Sequence, residues 1–205
     1  TYGESVGIAK LLNSHMAKNS EWGAVAYLGQ SEYGTKGAKV EKNTSSDHYT
    51  GGSSNKTTIY TTNVKQSTTH NSSGVYDMHG GALEYVASYV DTLDSNLPTY
   101  GGANGGDLYG INAGEEDTST PYKMVYEGTI SDDPQTNCEA NKGMKGDALW
   151  ETSSWYDSAF DFPFDRFPFF MFGGYYGLDR CSPFSVSRST GEGNDGRSFR
   201  PVLFP

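Results

Sequence analysis

The chain is short of charge, of cations and of the aliphatic residues that build helix bundles. Of its 205 residues, 20% are charged and 35% hydrophobic, both below the globular average. Lysine and arginine number 15 against 25 aspartates and glutamates, a net charge of −10. That balance argues against a nucleic-acid binder, which needs cations to displace phosphate counterions. It argues equally against a peripheral protein on an anionic membrane. No apolar run approaches the roughly 18 residues of a spanning helix, so direct membrane insertion is not expected. No signal peptide is legible, and the first residue is Thr1 rather than Met, the expectation for a mature product or a trimmed fragment. Cysteine is scarce. Cys138 and Cys181 either close one long disulfide loop, which would suit an extracellular protein, or are two unrelated thiols.

Familiar catalytic spacings are missing too. His15, His48, His70 and His79 have no metal-ligand spacing. No Gly-x-Ser-x-Gly elbow or Cys–His pairing occurs. The Gly191–Gly196 segment matches G-x-G-x-x-G in form only, because no hydrophobic strand leads in and no helix follows. GGANGG at 101–106 lacks the Lys-Ser/Thr of a phosphate loop. Glu115-Glu116-Asp117, Asp132-Asp133 and the Asp91, Asp94, Asn96 group read as solvated loop charge rather than calcium ligands.

What the chain does have is glycine, with 26 residues, and aromatics at 14%. The aromatics supply apolar area to bury, so disorder is not expected. All ten phenylalanines lie between Phe160 and Phe204. Residues 5–18 carry Val6, Ile8, Leu11, Leu12 and Met16 at helical spacing. Ser20 is a candidate N-cap for a second helix with Trp22, Val25, Ala26 and Leu28 on its buried side. Residues 34–73 read as a long loop with one strand near Thr57–Thr62, and PYKMVYEGT at 121–129 alternates like a strand. The expected architecture is one α+β domain over 1–205, with short helices, short strands and more loop than usual.

Four ordered segments carry a pattern: SEWGAVAYL at 20–28, GVYDMHGGALEYV at 74–86, FGGYYG at 172–177 and SFRPVLF at 198–204. It resembles the formylglycine-generating-enzyme, or sulfatase-modifying-factor, domain family. Glu21-Trp22 matches the first block, and Gly74, Tyr76, Asp77, Met78, Gly80 and Glu84 match the second. Gly173-Gly174 and Phe199-Arg200 match the third and fourth. The resemblance implies a C-type-lectin-like fold: a small twisted antiparallel sheet, two short helices and long loops pinned by motif residues, here lacking its N-terminal strands. The catalytic members hold copper with a cysteine pair after the third block; Cys181 stands there alone. The calcium-ligating asparagine of the family is Gly81 here, which leaves Glu84 as the only candidate ligand and counts against calcium. The expectation is therefore a retained scaffold, no cofactor and no oxidase activity. An oxidase-related enzyme is the alternative.

Within that fold, residues 155–200 resemble the C-terminal region of variable proteins diversified by retroelements in phages and bacteria. Trp155, Phe160, Pro163, Pro168, Phe169, Phe170, Gly173, Gly174, Ser198, Phe199 and Arg200 form a plausible frame. Chemically unrelated side chains lie between them. The expected ligand-binding residues are Tyr156, Asp157, Phe162, Phe164, Asp165, Arg166, Phe172, Tyr176, Leu178, Asp179, Arg180 and Arg197. Aromatics and arginine supply the contact area and forked hydrogen bonds that dominate interface hot spots. The expected function is a non-catalytic receptor- or adhesin-type module for a protein or glycan surface ligand. Its expected setting is extracellular, at a bacterial cell surface or on a virion, carried by a phage particle or pilus-like fibre. The other alternative is a structural subunit whose aromatic face packs on its own neighbour in a homo-oligomer or larger assembly.

Overall fold

The computed structural model describes residues 1, 4–5, 14–101, 123–141 and 147–203. Strand β2, Leu83–Asp91, is buried at seven consecutive positions and organises the rest. Burial on both faces suits its LEYVASYVD sequence, an apolar and small-residue run rather than a polar alternation. Its side chains divide by the period of two. Tyr85, Ala87 and Tyr89 join Met16, Leu97, Phe169 and Met171 in one core cluster. Val86 and Val90 join Trp22, Tyr126, Phe162, Phe170, Phe172 and Val186 in the other.

On one edge β2 pairs antiparallel with β4, Phe169–Phe172, which pairs antiparallel with β5, Val186–Ser189. The opposite edge is shared by two parallel neighbours. Strand β6, Arg197–Phe199, lies along residues 83–85, and β3, Met124–Glu127, along residues 88–91. The fold is α+β as expected, but the sheet is mixed rather than antiparallel. Neither parallel partner follows β2 through a tight turn: residues 92–123 separate β2 from β3 in the chain, and β3, β4 and β5 come before β6. Strand β1, Ser14–Met16, pairs antiparallel with β7, Pro201–Leu203.

Helix α1, Asn19–Gln30, starts one residue before the expected cap, with the Glu21 carboxylate accepting from the Lys18 backbone N–H at 2.9 Å. It buries Asn19, Trp22, Ala26 and Gly29, while Leu28, expected inside, is 64% exposed. The helical pattern at 5–18 ends in β1 at residues 14–16, and its apolar positions 6–12 lie outside the described residues. Short helices follow at Asn96–Gly101 (α2), Pro134–Ala140 (α3) and Asp147–Glu151 (α4). The expected strand at Thr57–Thr62 is not formed. The Asn55 carboxamide accepts from the backbone of Thr57 and Thr58, and a 3-10 turn spans Tyr60–Gln66. Local side-chain bonds of this kind compete with strand pairing. The acidic run at 115–117 and all of GGANGG after Gly101 lie outside the described residues.

The four motif segments meet around the core. The Trp22 and Phe172 rings lie 5.4 Å apart. The Gly80 N–H donates to the Gly173 carbonyl at 3.1 Å. The Arg200 guanidinium forks onto Glu84 at 3.1 and 2.7 Å. Beside this junction His79 is 2% exposed, and burial pulls its pKa down to about 4. Between that value and about 6.5 the unfolded chain binds a proton that the folded chain excludes. His79 therefore makes stability fall as pH drops through this window, by up to about 1.4 kcal/mol per pH unit. Urea unfolding of His79→Gln at a series of pH values should show a shallower acid loss than the wild type. Identical slopes would remove this role for His79.

Candidate binding face

Three loops meet where β2 and β3 end. The first follows β2 and carries Thr92, Leu93 and Asp94. The second follows β3 and carries Ile130 and Asp132. The third is the Phe164–Phe167 turn leading into β4. Their polar groups are cross-bonded. The Asp165 N–H donates to the Thr129 carbonyl at 2.9 Å, and Asn96 Nδ2 donates to the Arg166 carbonyl at 2.9 Å. Arg188 donates to the Asp132 carbonyl at 2.9 Å and lies 4.7 Å above the Phe164 ring centre. Asp94 and Asp133 each accept a local backbone hydrogen bond. Asp94 accepts from the Asn96 N–H, and Asp133 caps α3 by accepting from the Thr136 N–H.

These loops enclose an open groove of about 750 Å³, lined by Thr92, Leu93, Asp94, Ile130, Asp132 and the Phe164–Arg166 turn. Leu93 is 105% exposed and Ile130 92% exposed, so two large aliphatic side chains stand in solvent on one groove. Single exposed apolar residues are common on folded proteins. Two on the same concave surface, with an arginine and three carboxylates around them, have the make-up of an interaction site.

The expected ligand-binding residues are scattered. Asp165 and exposed Arg166 line the groove. Asp157 and Arg180 are exposed and form an ion pair at 3.2 Å elsewhere. Beside them Tyr156 donates to Gln30 and stacks on Phe184. Tyr176 is half-buried with its ring edge-on to His48, and the Leu178 carbonyl accepts from Lys42. Asp179 is exposed. Arg197 is tied to the Tyr85 hydroxyl and the Glu192 carbonyl, next to the first core cluster.

Three expected ligand contacts are corrected to core positions. Phe162, Phe164 and Phe172 are 0%, 4% and 3% exposed. Phe172, on β4, and Phe162, in the segment before it, both pack in the second cluster, and Phe164 is covered by Arg188 and Phe167. Phe164→Ala should therefore cost about 3 kcal/mol through the cavity it leaves. Arg166→Ala, which removes an exposed side chain, should stay within about 0.5 kcal/mol of wild type. Chemical unfolding of the two variants checks the pair. Sequence reading passed over Leu93 and Ile130, whose only signal was an isolated aliphatic in each of two polar loops.

Glu84 does not fit a calcium ion here. Both its oxygens are taken by Arg200, so a cation would have to displace a guanidinium from a buried carboxylate. Its neighbour Asp77 is occupied by the Gly51 N–H and Asn43. Millimolar calcium should leave the melting temperature unchanged; a rise would place calcium at this carboxylate pair or elsewhere on the chain.

The cysteines are free and separate. Cys138 packs in the second cluster, while Cys181 accepts from the Gly80 N–H and donates to the Gly173 carbonyl. Burial pushes the Cys181 thiol up to about 11, so it is protonated at neutral pH. Among the described residues no cluster of three or more His, Cys, Asp or Glu side chains could hold a metal, and no helix is long and apolar enough to cross a membrane.

Compared with protein-family models, curated proteins and solved structures, the chain matches none of them.

Proposed function

We propose that the chain is a non-catalytic recognition module that binds a protein ligand through the groove at the end of its sheet. The observation that carries this reading is the pair of fully exposed aliphatics, Leu93 and Ile130, on a groove stitched from three cross-bonded loops. A protein ligand is favoured over a glycan because the groove offers aliphatic knobs, while the one aromatic ring among its described lining residues, Phe164, is covered. The carboxylates of Asp94, Asp132 and Asp165 favour a partner with a basic rim.

The scaffold reading is a C-type-lectin-like domain of the formylglycine-generating type. It is supported by the convergence of the four motif segments at Trp22–Phe172, Gly80–Gly173 and Glu84–Arg200. It is also supported by the pairing of β1 with β7 and by long loops around a small sheet. Of the expected ligand-binding residues in 155–200, a retroelement-diversified surface fits the exposed ones, Asp157, Arg166, Asp179 and Arg180. In this reading the molecule acts at a bacterial or phage surface.

The test is selection of phage-displayed random peptides on the purified chain. Apolar peptides flanked by lysine or arginine should be recovered. They should lose binding to Leu93→Ser/Ile130→Ser, whose melting temperature stays at the wild-type value. Recovery of glycans alone from an array, or self-association without peptide capture, overturns the proposal.

A further inference from the structure

A second cavity, of about 370 Å³, lies between α1, β3 and α4 and shares no described lining residue with the groove. Its size is near the lower end of the roughly 300–1,000 Å³ typical of small-molecule sites. Trp22, Met124, Tyr126, Leu149, Phe172 and Phe184 form its apolar walls, and among the described residues no charged one lines it. Such a lining excludes ions and suits a neutral aromatic guest.

Two details go beyond an apolar hollow. The first is Asn19, which is 5% exposed. Its Nδ2 donates to the Tyr126 hydroxyl at 3.0 Å, and its Oδ1 has no hydrogen-bond partner. A buried carbonyl left unpaired costs about 1–3 kcal/mol, so such groups normally have a partner. Here the residue carrying the free acceptor lines a cavity. The second is Gly23, in the body of α1. Glycine there costs roughly 1 kcal/mol relative to alanine. A Cβ built on Gly23 would meet nothing within 4 Å, so packing does not demand the glycine. Gly23 also lines the cavity, and a side chain at that position would occupy part of its space.

From these we infer that the cavity beside α1 is a binding site for a small neutral aromatic molecule with one hydrogen-bond donor, of the phenol or indole class. The ring lies among Trp22, Phe172 and Phe184, and the donor reaches Asn19 Oδ1. This site is independent of the protein-binding groove, and either can fail without the other.

Calorimetric titration of the purified chain with indole, and with toluene as a guest lacking the donor, tests it. Indole should bind saturably, at least tenfold tighter than toluene. Gly23→Leu should raise the melting temperature and weaken indole at least tenfold. Asn19→Leu should erase the preference for indole over toluene while toluene still binds. Absence of saturable indole binding overturns the inference. So does indole binding that survives in a folded Gly23→Leu variant, or an indole preference that persists in Asn19→Leu.

Discussion

Arg200→Ala is expected to destabilise the fold by about 3–5 kcal/mol at neutral pH, and by much less in mild acid. Arg200 is the partner of both Glu84 oxygens and also donates to the Tyr76 and Asp77 carbonyls. Burial alone pushes the Glu84 carboxyl upward, and Arg200 pulls against it. Removing the guanidinium leaves a buried carboxylate unpaired and lets its pKa climb further. The sign follows from proton binding. With its folded pKa above the unfolded value, Glu84 takes up a proton in the folded variant at a pH where the unfolded chain does not. The variant's stability deficit is thus largest above the folded pKa and shrinks as pH falls through it. Arg200→Lys keeps the charge but loses the fork, and should fall between the two. Urea unfolding near pH 8 and near pH 5 measures the effect, and an equal deficit at both values would mean that Glu84 is not the group left unpaired.

Gly80→Ala is expected to prevent folding or to cost more than 3 kcal/mol. Gly80 has φ +71°, in the left-handed region, which costs a residue with a Cβ about 1–2 kcal/mol. A Cβ there would also lie 2.1 Å from the Asn43 carbonyl oxygen, a backbone atom that cannot rotate away. The same peptide donates to the Gly173 carbonyl and to Cys181 Sγ, so a displacement would break the junction between two motif segments. Gly37 is the control. It has φ +81° with nothing within 4 Å of an added Cβ, and Gly37→Ala should cost only the backbone part. Thermal melts of the two variants should differ widely, and similar melts would mean the Asn43 loop yields to the extra methyl group.

The parts of this fold legible in the sequence are those written in short motifs. The alternating segment at 121–129 contains β3, Met124–Glu127, as expected, whereas the run FFMF, for which no strand was expected, forms β4 and divides its alternate side chains between the two clusters. The blocks containing Glu84 and Arg200, or Gly80 and Gly173, were visible as separate fragments, and only the fold gives them their contacts. The phenylalanine skew was also legible, but its meaning was not. Phe162, Phe164 and Phe172 sit between Pro, Gly and Asp residues that suggest a loop surface, yet they are buried. What buries them is remote in sequence: Trp22 against Phe172, Tyr126 against Phe162, Arg188 over Phe164. The groove failed to appear for the converse reason. Leu93 and Ile130 are ordinary alone, and become a surface only because the parallel pairing of β2 with β3 brings their loops to one end of the sheet.

Backbone amide exchange, with and without a peptide selected on the chain, tests the binding face most directly. Protection is predicted at Thr92–Asp94, at Ile130–Asp132 and at Asp165–Arg166, with the ends of α1 unchanged. Protection confined to the Asp157–Arg180 surface, or to the loops around Tyr176 and Leu178, would contradict the assignment of the groove as the recognition site.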